Sequence, residues 1–336
     1  MLNLRLLLGR VALALALACG AICALGGLAG LAGRFSGWLD IAAHGAPVWA
    51  AGGIGAWLLA LAAPHGFPRR LARTLGVLAV LAAAPLVLIE LLAPRGPTAP
   101  PEAPRQLRLI QFNAWDLNKD RPATIAWLLR ERADIIVMQE AQRDFAEVLR
   151  DQAGYHVSCQ DGRPQWCTTA VLTLRQPLRA GYDDADLPGA LTPLARATVP
   201  APDGGTVTVI GVHLDWPTQP SRQQSQRARL AALIAASGPR ERLIVAGDFN
   251  STPWSHARRA DDAAWGLVRR TRALFTWPTP RLGWRGLGWP LALMPIDHVY
   301  AGSGWRVVSL RRGPATGSDH YPIVVTFAPA LKPGRP

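Results

Sequence analysis

The sequence predicts an α/β domain with more than one sheet, preceded by three apolar segments of membrane-spanning length. Three observations lead there. The first 93 residues contain three long runs almost free of charge. A proline-rich stretch follows, and beyond it short β-rich runs alternate with amphipathic helical stretches and hairpin signals.

The apolar runs cover residues 11–33, 41–63 and 75–93. Each is close to the roughly 20 residues that cross a bilayer as a helix. Pro85 is tolerable in the third, because neighbouring helices in a membrane satisfy the carbonyl it frees. A cleaved signal peptide is the other reading of the first run, with Arg5 and Arg10 as its basic flank. The length of the run and the two spans behind it favour an uncleaved helix. "LALACG" lacks the leucine of a lipoprotein signal, with Ala16 in its place, so Cys19 and Cys23 read as small membrane residues.

Orientation follows from the short loops. Arg5 and Arg10 precede the first run, Arg34 and Asp40 separate the first two, and Arg69, Arg70 and Arg73 separate the last two. The arginine-rich sides belong in the cytoplasm. The chain is therefore expected in the inner (cytoplasmic) membrane as a multi-pass protein, with its N-terminus cytoplasmic and the rest extracytoplasmic (the periplasm of a Gram-negative cell). "PRGPTAPPEAPRQ", residues 94–106, reads as a semi-stiff extended linker. A domain over 107–328 and a tail over 329–336 complete the plan.

The net charge of +13 rests almost wholly on arginine, since only Lys119 and Lys332 are lysines. With so much Ala, Gly and Pro, this composition suits a GC-rich genome and is no nucleic-acid signature. A basic surface is compatible with phosphate-bearing substrates. Cys159 and Cys167 flank "QDGRPQW", whose Asp161-Gly162 pair signals a turn. They face each other across a hairpin as a disulfide in an oxidising compartment, or are two buried thiols.

In the domain, apolar runs repeatedly end in polar residues. "LRLIQFNAW" ends at Asn113, "DIIVMQE" at Glu140 and "TVTVIGVHLDWP" near His213. "RLIVAGDFN" ends at Asp248 and Asn250, while "MPIDHVYA" and "GSDHYPIVVTF" supply Asp297, Asp319 and His320. "TIAWLLRERA" and "SRQQSQRARLAALIAAS" have helical spacing. One acid at a strand end is ordinarily a cap or a turn former. Eight polar strand ends on one edge converge in space, which is where α/β folds place their sites. Asp248 and Asn250 share a face by the two-residue period. Carboxylates, an amide and imidazoles without cysteine suit Mg²⁺ or Mn²⁺ better than zinc. The chain has no P-loop, no G-x-S-x-G elbow and no H-E-x-x-H pair.

"QFNAW", "VMQE", "GVHL", "GDFN", "IDHVY" and "SDHYPI" occur here in the order seen in the endonuclease/exonuclease/phosphatase superfamily, which this sequence resembles over about Leu107–Phe327. The three apolar runs make it similar to a bacterial membrane-anchored branch. The resemblance implies a four-layer β-sandwich of two mixed sheets flanked by helices, and a metal-dependent phosphoesterase. It also implies roles. Glu140 would be the main Mg²⁺ (or Mn²⁺) ligand, helped by Asn113, with Asp319 as a further candidate. Asp248 would orient or deprotonate water, Asn250 would hold a phosphate oxygen and His213 would bond the phosphoryl group. His320, oriented by Asp297, would complete an acid–base pair, and the base is either His320 or Asp248. His298 reads as structural. Glu140 and His320 are expected to serve chemistry and not packing.

The competing class is a membrane-anchored binding or scaffold module without catalysis, against which the complete polar set argues. The expected partners are a phosphate ester (a lipid headgroup, nucleic acid or soluble ester) and the bilayer, with no protein partner. "RLGWRGLGWPLAL", Arg281–Leu293, is apolar for a surface loop. Trp284, Leu287 and Trp289 either dip into the membrane interface or pack back on their own domain.

Overall fold

The computed structural model describes residues 2–140, 143–159, 167–181, 194–280 and 291–330. The chain divides into two compact units, Met1–Ala93 with Thr252–Asp261, and Pro94–Ser251 with Asp262–Pro336.

The first unit is helical. Helices α1 (Leu2–Leu31) and α4 (Phe67–Leu92) are long and apolar enough to cross a membrane. The second predicted run is instead two helices, α2 (Gly37–Ala43) and α3 (Ala46–Leu59), and the broken pair is bent by 57°. The break has a local cause. Gly45 precedes α3, and Pro47 in its first turn offers no N–H and would crowd the preceding turn of a continuous helix. The unit thus has two candidate spans, or three if the bent pair counts as one. Small residues bring the helices together: a Cβ on Gly53 would lie 2.7 Å from Gly76 O.

The second unit begins with β1 (Leu107–Asn113), α5 (Arg121–Glu131), β2 (Ile135–Gln139), α6 (Arg143–Ala153), β3 (His156–Cys159) and β4 (Thr169–Thr173). There follow β5 (Arg179–Ala180), β6 (Leu194–Pro200), β7 (Thr206–His213), α7 (Pro220–Ala236) and β8 (Leu243–Asp248). After α8 (His256–Ala264), shared between the units, come β9 (Val268–Arg269), β10 (Asp297–Ala301), β11 (Trp305–Arg312) and β12 (Ile323–Pro329). Among the described residues these strands form two mixed six-stranded sheets, ordered β11-β12-β1-β2-β4-β3 and β5-β6-β7-β8-β10-β9.

Alternation along the strands builds the layers. Leu109, Ile135 and Val137 of one sheet share a core with Val209, Ile244, Ala246 and Val299 of the other. The intervening residues face outward: Ile136 and Met138 pack with Trp127 and Leu128 of α5 and Leu149 of α6. Val212 and Val245 pack with Leu230 and Leu233 of α7. Each such buried aliphatic side chain contributes about 1.5–3 kcal/mol, and together they fix the register on which the site depends.

The expected linker, residues 94–106, is bonded to β11 at Pro97 and Ala99. Val307 N donates to Pro97 O at 3.1 Å and Ala99 N to Val307 O at 2.9 Å, so the stretch lies along β11. Arg270 Nη1 also donates to Arg95 O. Proline leaves few backbone donors; Ala99 N finds its acceptor on an edge strand, and Ala103 N donates to Pro100 O at 3.0 Å. Cys159 and Cys167 are joined by a disulfide. Trp284, Leu287 and Trp289 lie outside the described residues; Leu291 and Leu293, just beyond them, are exposed.

Candidate active site

The site forms where inward-facing positions of both sheets stop being apolar. In β8 the core side chains Ile244 and Ala246 are followed at the same period by Asp248. The same step leads from Leu109 through Gln111 to Asn113, from Val137 to Gln139, and from Val209 through Gly211 to His213. In β10 it leads from Val299 back to Asp297. Pairing aligns these ends. Asn113 is opposite Gln139 in the parallel β1–β2 pair, His213 opposite Asp248 in β7–β8, and Asp297 opposite Asp248 in β8–β10. Glu140 directly follows β2, while Asp319 and His320 precede β12, the antiparallel neighbour of β1.

The glycine before Asp248 is required by close approach, since a Cβ on Gly247 would lie 1.9 Å from Val212 O. Glu140, Asn250 and Trp115 adopt left-handed backbone angles, with φ of 49°, 47° and 59°. Such conformations cost about 1–3 kcal/mol each and persist where surrounding bonds over-determine them. Asn250 N donates to Asp248 Oδ1 at 2.8 Å and Asn250 Nδ2 to Leu214 O at 2.7 Å. Asp116 N donates to Glu140 Oε2 at 3.0 Å.

The floor is a charged triad. His320 Nδ1 lies 2.8 Å from Asp297 Oδ2, and His320 Nε2 lies 3.6 Å from Asp248 Oδ2. All three side chains are buried. Burial raises the Asp248 carboxyl to about 6, with the His320 charge opposing and Asp297 adding to the rise. Burial alone would lower His320, but the Asp297 and Asp248 carboxylates outweigh it and push the imidazole up to about 10. Burial likewise raises Asp319. Toward the mouth, His213 Nε2 stands 3.8 Å from Glu140 Oε1 and 3.9 Å from Asp248 Oδ2. Asn113 Nδ2 bridges Glu140 Oε1 at 2.9 Å and Asp248 Oδ2 at 3.0 Å.

The structure therefore brings together Asn113, Glu140, His213, Asp248, Asp297, Asp319 and His320, with Asn250 in the adjoining turn. His298 lies apart from the triad, bonded to Ser251 O at 2.9 Å and packed against Phe249. Several supporting residues escaped the sequence reading. Gln111 Nε2 donates to Gln139 Oε1 at 2.9 Å and to Asp297 Oδ1 at 3.0 Å. Ser318 Oγ donates to Asn113 O at 2.7 Å and accepts from His320 N at 3.0 Å. Trp277 Nε1 donates to Asp319 Oδ2 at 3.1 Å. The signal for the glutamines was available: both occupy inward positions at strand ends otherwise filled by aliphatics.

Residues 110–320, more than half of the chain, match the model of the Endonuclease/Exonuclease/phosphatase family. The chain belongs to that family. Its members are metal-dependent phosphoester hydrolases, and so is this enzyme. No curated protein matches it by sequence. Solved structures share the fold. A humanized D. rerio TDP2 carrying 14 mutations has a TM-score of 0.51 at 18% identity, covering 66% of this chain and 99% of its own. D. rerio TDP2 complexed with single strand DNA product gives 0.51 at 17%, covering 66% and 98%. A functionally unknown conserved protein from Enterococcus faecalis V583 gives 0.53 at 15%, covering 67% and 100%.

The donor set fits the divalent cation on which the endonuclease/exonuclease/phosphatase family depends. Asp319 Oδ1 is buried and lacks a hydrogen-bond partner among the described residues, 3.9 Å from His320 Nε2. Glu140, about a quarter exposed, presents its carboxylate at the mouth. Asp248, Asp297 and His320 offer donor atoms within 4.8 Å of one another. Asn113 Oδ1 already accepts from Trp115 N at 3.0 Å, so Asn113 here bridges the two carboxylates by its nitrogen.

Proposed function

We propose that this chain is a membrane-anchored phosphodiesterase that hydrolyses its substrate outside the cytoplasm with Mg²⁺ or Mn²⁺. The carrying observation is the buried Asp297–His320–Asp248 array beside Glu140 and His213, on one end of the sandwich. Glu140 and Asp319 would hold the cation, which when bound neutralises charge on the phosphoryl oxygens.

The residues of the chain divide the remaining work. Asp297 holds the His320 ring in one orientation, and the two flanking carboxylates keep it protonated at neutral pH. His320 is then a donor to the phosphoryl group, and the choice of base falls on Asp248. Water adds to phosphorus, its proton passes to Asp248 Oδ2, the ester P–O bond breaks, and the departing oxygen takes a proton from solvent. His213 and Asn250 complete the donors around the phosphoryl oxygens, and fixed donors of this kind are worth about 10²–10³ in rate each. Asn113 holds Glu140 and Asp248 apart at fixed spacing.

The membrane reading rests on α1, α4 and the bent α2–α3 pair. The Cys159–Cys167 disulfide supports an oxidising side for the catalytic unit. A nucleic-acid substrate is favoured as the second reading by the likeness to D. rerio TDP2 solved with a single strand DNA product. The test uses the full chain in detergent with bis-p-nitrophenyl phosphate, single-stranded DNA, RNA and phospholipid vesicles. Hydrolysis of at least one should appear with Mg²⁺ or Mn²⁺, vanish with EDTA and return on adding back either ion. Hydrolysis that ignores EDTA, or a chain inert on every substrate, would overturn the proposal. In cells, a C-terminal alkaline phosphatase fusion should be active; an inactive one would place the catalytic unit in the cytoplasm.

A further inference from the structure

Two glutamines occupy inward positions just where the aliphatic core gives way to the site. Gln111 follows Leu109 on the inward face of β1, and Gln139 follows Val137 on that of β2. Both are fully buried, and so is Asp297. Gln111 Nε2 donates to Gln139 Oε1 at 2.9 Å and, across to the second sheet, to Asp297 Oδ1 at 3.0 Å. The other oxygen of Asp297 meets His320 Nδ1 at 2.8 Å, and His320 Nε2 faces Asp248 Oδ2 at 3.6 Å. This series of contacts runs from β2 through β1 and β10 to His320, entirely within the catalytic unit.

A buried amide costs free energy unless its polar atoms are matched. Gln111 Oε1 and Gln139 Nε2 have no hydrogen-bond partner among the described residues, so the pair is poorly matched as core packing. What it does satisfy is Asp297: among the described residues, Gln111 is the one donor to Asp297 Oδ1. Asp297 in turn fixes the sense of both amides. Turning Gln111 over would set its oxygen against the carboxylate, and Gln139 must present its own oxygen to the Gln111 nitrogen. There is little room to rearrange. A Cβ on Gly211 of β7 would lie 3.1 Å from Cγ1 of Val137, the register partner of Gln111 in β2. A carboxylate bonded to His320 alone could still turn about its bond to Cβ; the second bond, on Oδ1, fixes its plane.

We infer that Gln111 is a positioning residue: its amide, oriented by Gln139, fixes the plane of the Asp297 carboxylate and through it the direction of the His320 ring. This inference rests on the role given to His320 in the proposed phosphodiesterase reaction. A misplacement of about 1 Å in a reacting group costs on the order of 10²-fold. Loss of an amide behind Asp297 is therefore read in turnover and not in substrate binding.

The test uses the full chain in detergent, with the substrate found active for the wild type. Gln111→Met keeps the length of the side chain and removes the donor. It should lower kcat by about ten- to a hundredfold with KM within about twofold. Gln111→Asn, which keeps the amide but withdraws it by one carbon, should lose a comparable amount. Gln111→Met and Asp297→Asn should be non-additive, because the first acts only through the second. Thr173→Val, a buried change at the end of β4 away from Gln139, should leave kcat unchanged. Proton NMR of the ¹⁵N-histidine-labelled, metal-free chain adds a readout independent of turnover. The Nδ1 proton of His320, assigned by its loss in His320→Gln, should shift in both Gln111 variants and stay in place in Thr173→Val. Wild-type kcat in Gln111→Met, additive losses with Asp297→Asn, or an unmoved His320 proton would each overturn the inference. A wild type inert on every substrate would instead sink the phosphodiesterase reading, and the proton shift would still decide whether Gln111 sets the ring.

Discussion

His320→Ala should lower phosphoester turnover by about 10²–10⁴-fold and also destabilise the catalytic unit, whereas Glu140→Ala should lose comparable turnover at nearly unchanged thermal stability. The two residues differ in what surrounds them. His320 is the cation between two buried carboxylates, 2.8 Å from Asp297 and 3.6 Å from Asp248. Removing one partner of a buried charged pair typically costs about 3–5 kcal/mol, because the other charge stays behind without compensation. Glu140 has a quarter of its side chain in solvent and accepts only from Asn113 and Asp116 among the bonds described. Its carboxylate is partly solvated, so little stability is at stake when it goes. From sequence both residues are expected to serve chemistry and not packing; the burial of His320 between two carboxylates gives it a structural part as well. Steady-state kinetics and calorimetry on the two variants check this. Wild-type melting in His320→Ala would show that the imidazole does not balance the carboxylates. Full turnover in Glu140→Ala would remove that residue from the reaction.

What was legible in the sequence followed from period and repetition. A two-residue alternation running from Ile244 through Ala246 to Asp248 reads as a core strand turning polar at its end, and the structure continues that alternation onto the site. Long apolar helices such as α4 declare themselves by composition alone. Elements stabilised by tertiary contacts were not legible. β11, "WRVVSLRR", alternates poorly because it is an outer strand, covered in part by residues 97–99. β6, "LARATVP", is poor in β-formers, yet pairs along its whole length with Thr206–Val212 of β7. The break at Gly45 was hidden because mean hydropathy is blind to a glycine and a proline inside an apolar run. Gln111 and Gln139 were missed for a related reason. An amide flanked by aliphatics looks like a tolerated exception until its partner, Asp297, 186 residues from Gln111, is seen beside it.

In metal-free protein, stability should fall as pH rises from 7 to 10, and His320 should be the cause. The direction follows from proton counting. His320 is pushed from its ordinary 6.5 up to about 10, so between those values the folded chain holds a proton that the unfolded chain has released. Its stabilisation is complete below the unfolded value and is lost as pH climbs through the folded one. The expected slope in that window approaches about 1.4 kcal/mol per pH unit for one proton. Asp248 acts with the same sign at lower pH. Raised from 3.8 to about 6, it too keeps a proton that the unfolded chain has lost, so its contribution fades between those values. Asp203, held below the ordinary carboxylate range by Arg242 despite some burial, has the opposite sign, and its support is lost only in acid. Above pH 7 the His320 effect therefore stands alone among these groups. The measurement is the thermal midpoint of the catalytic unit in EDTA from pH 6 to 10, for the wild type and His320→Asn. The alkaline decline should be present in the first and absent in the second. A decline shared by both would assign it to other groups, and a flat wild-type profile would mean that His320 is not held protonated by its two carboxylates.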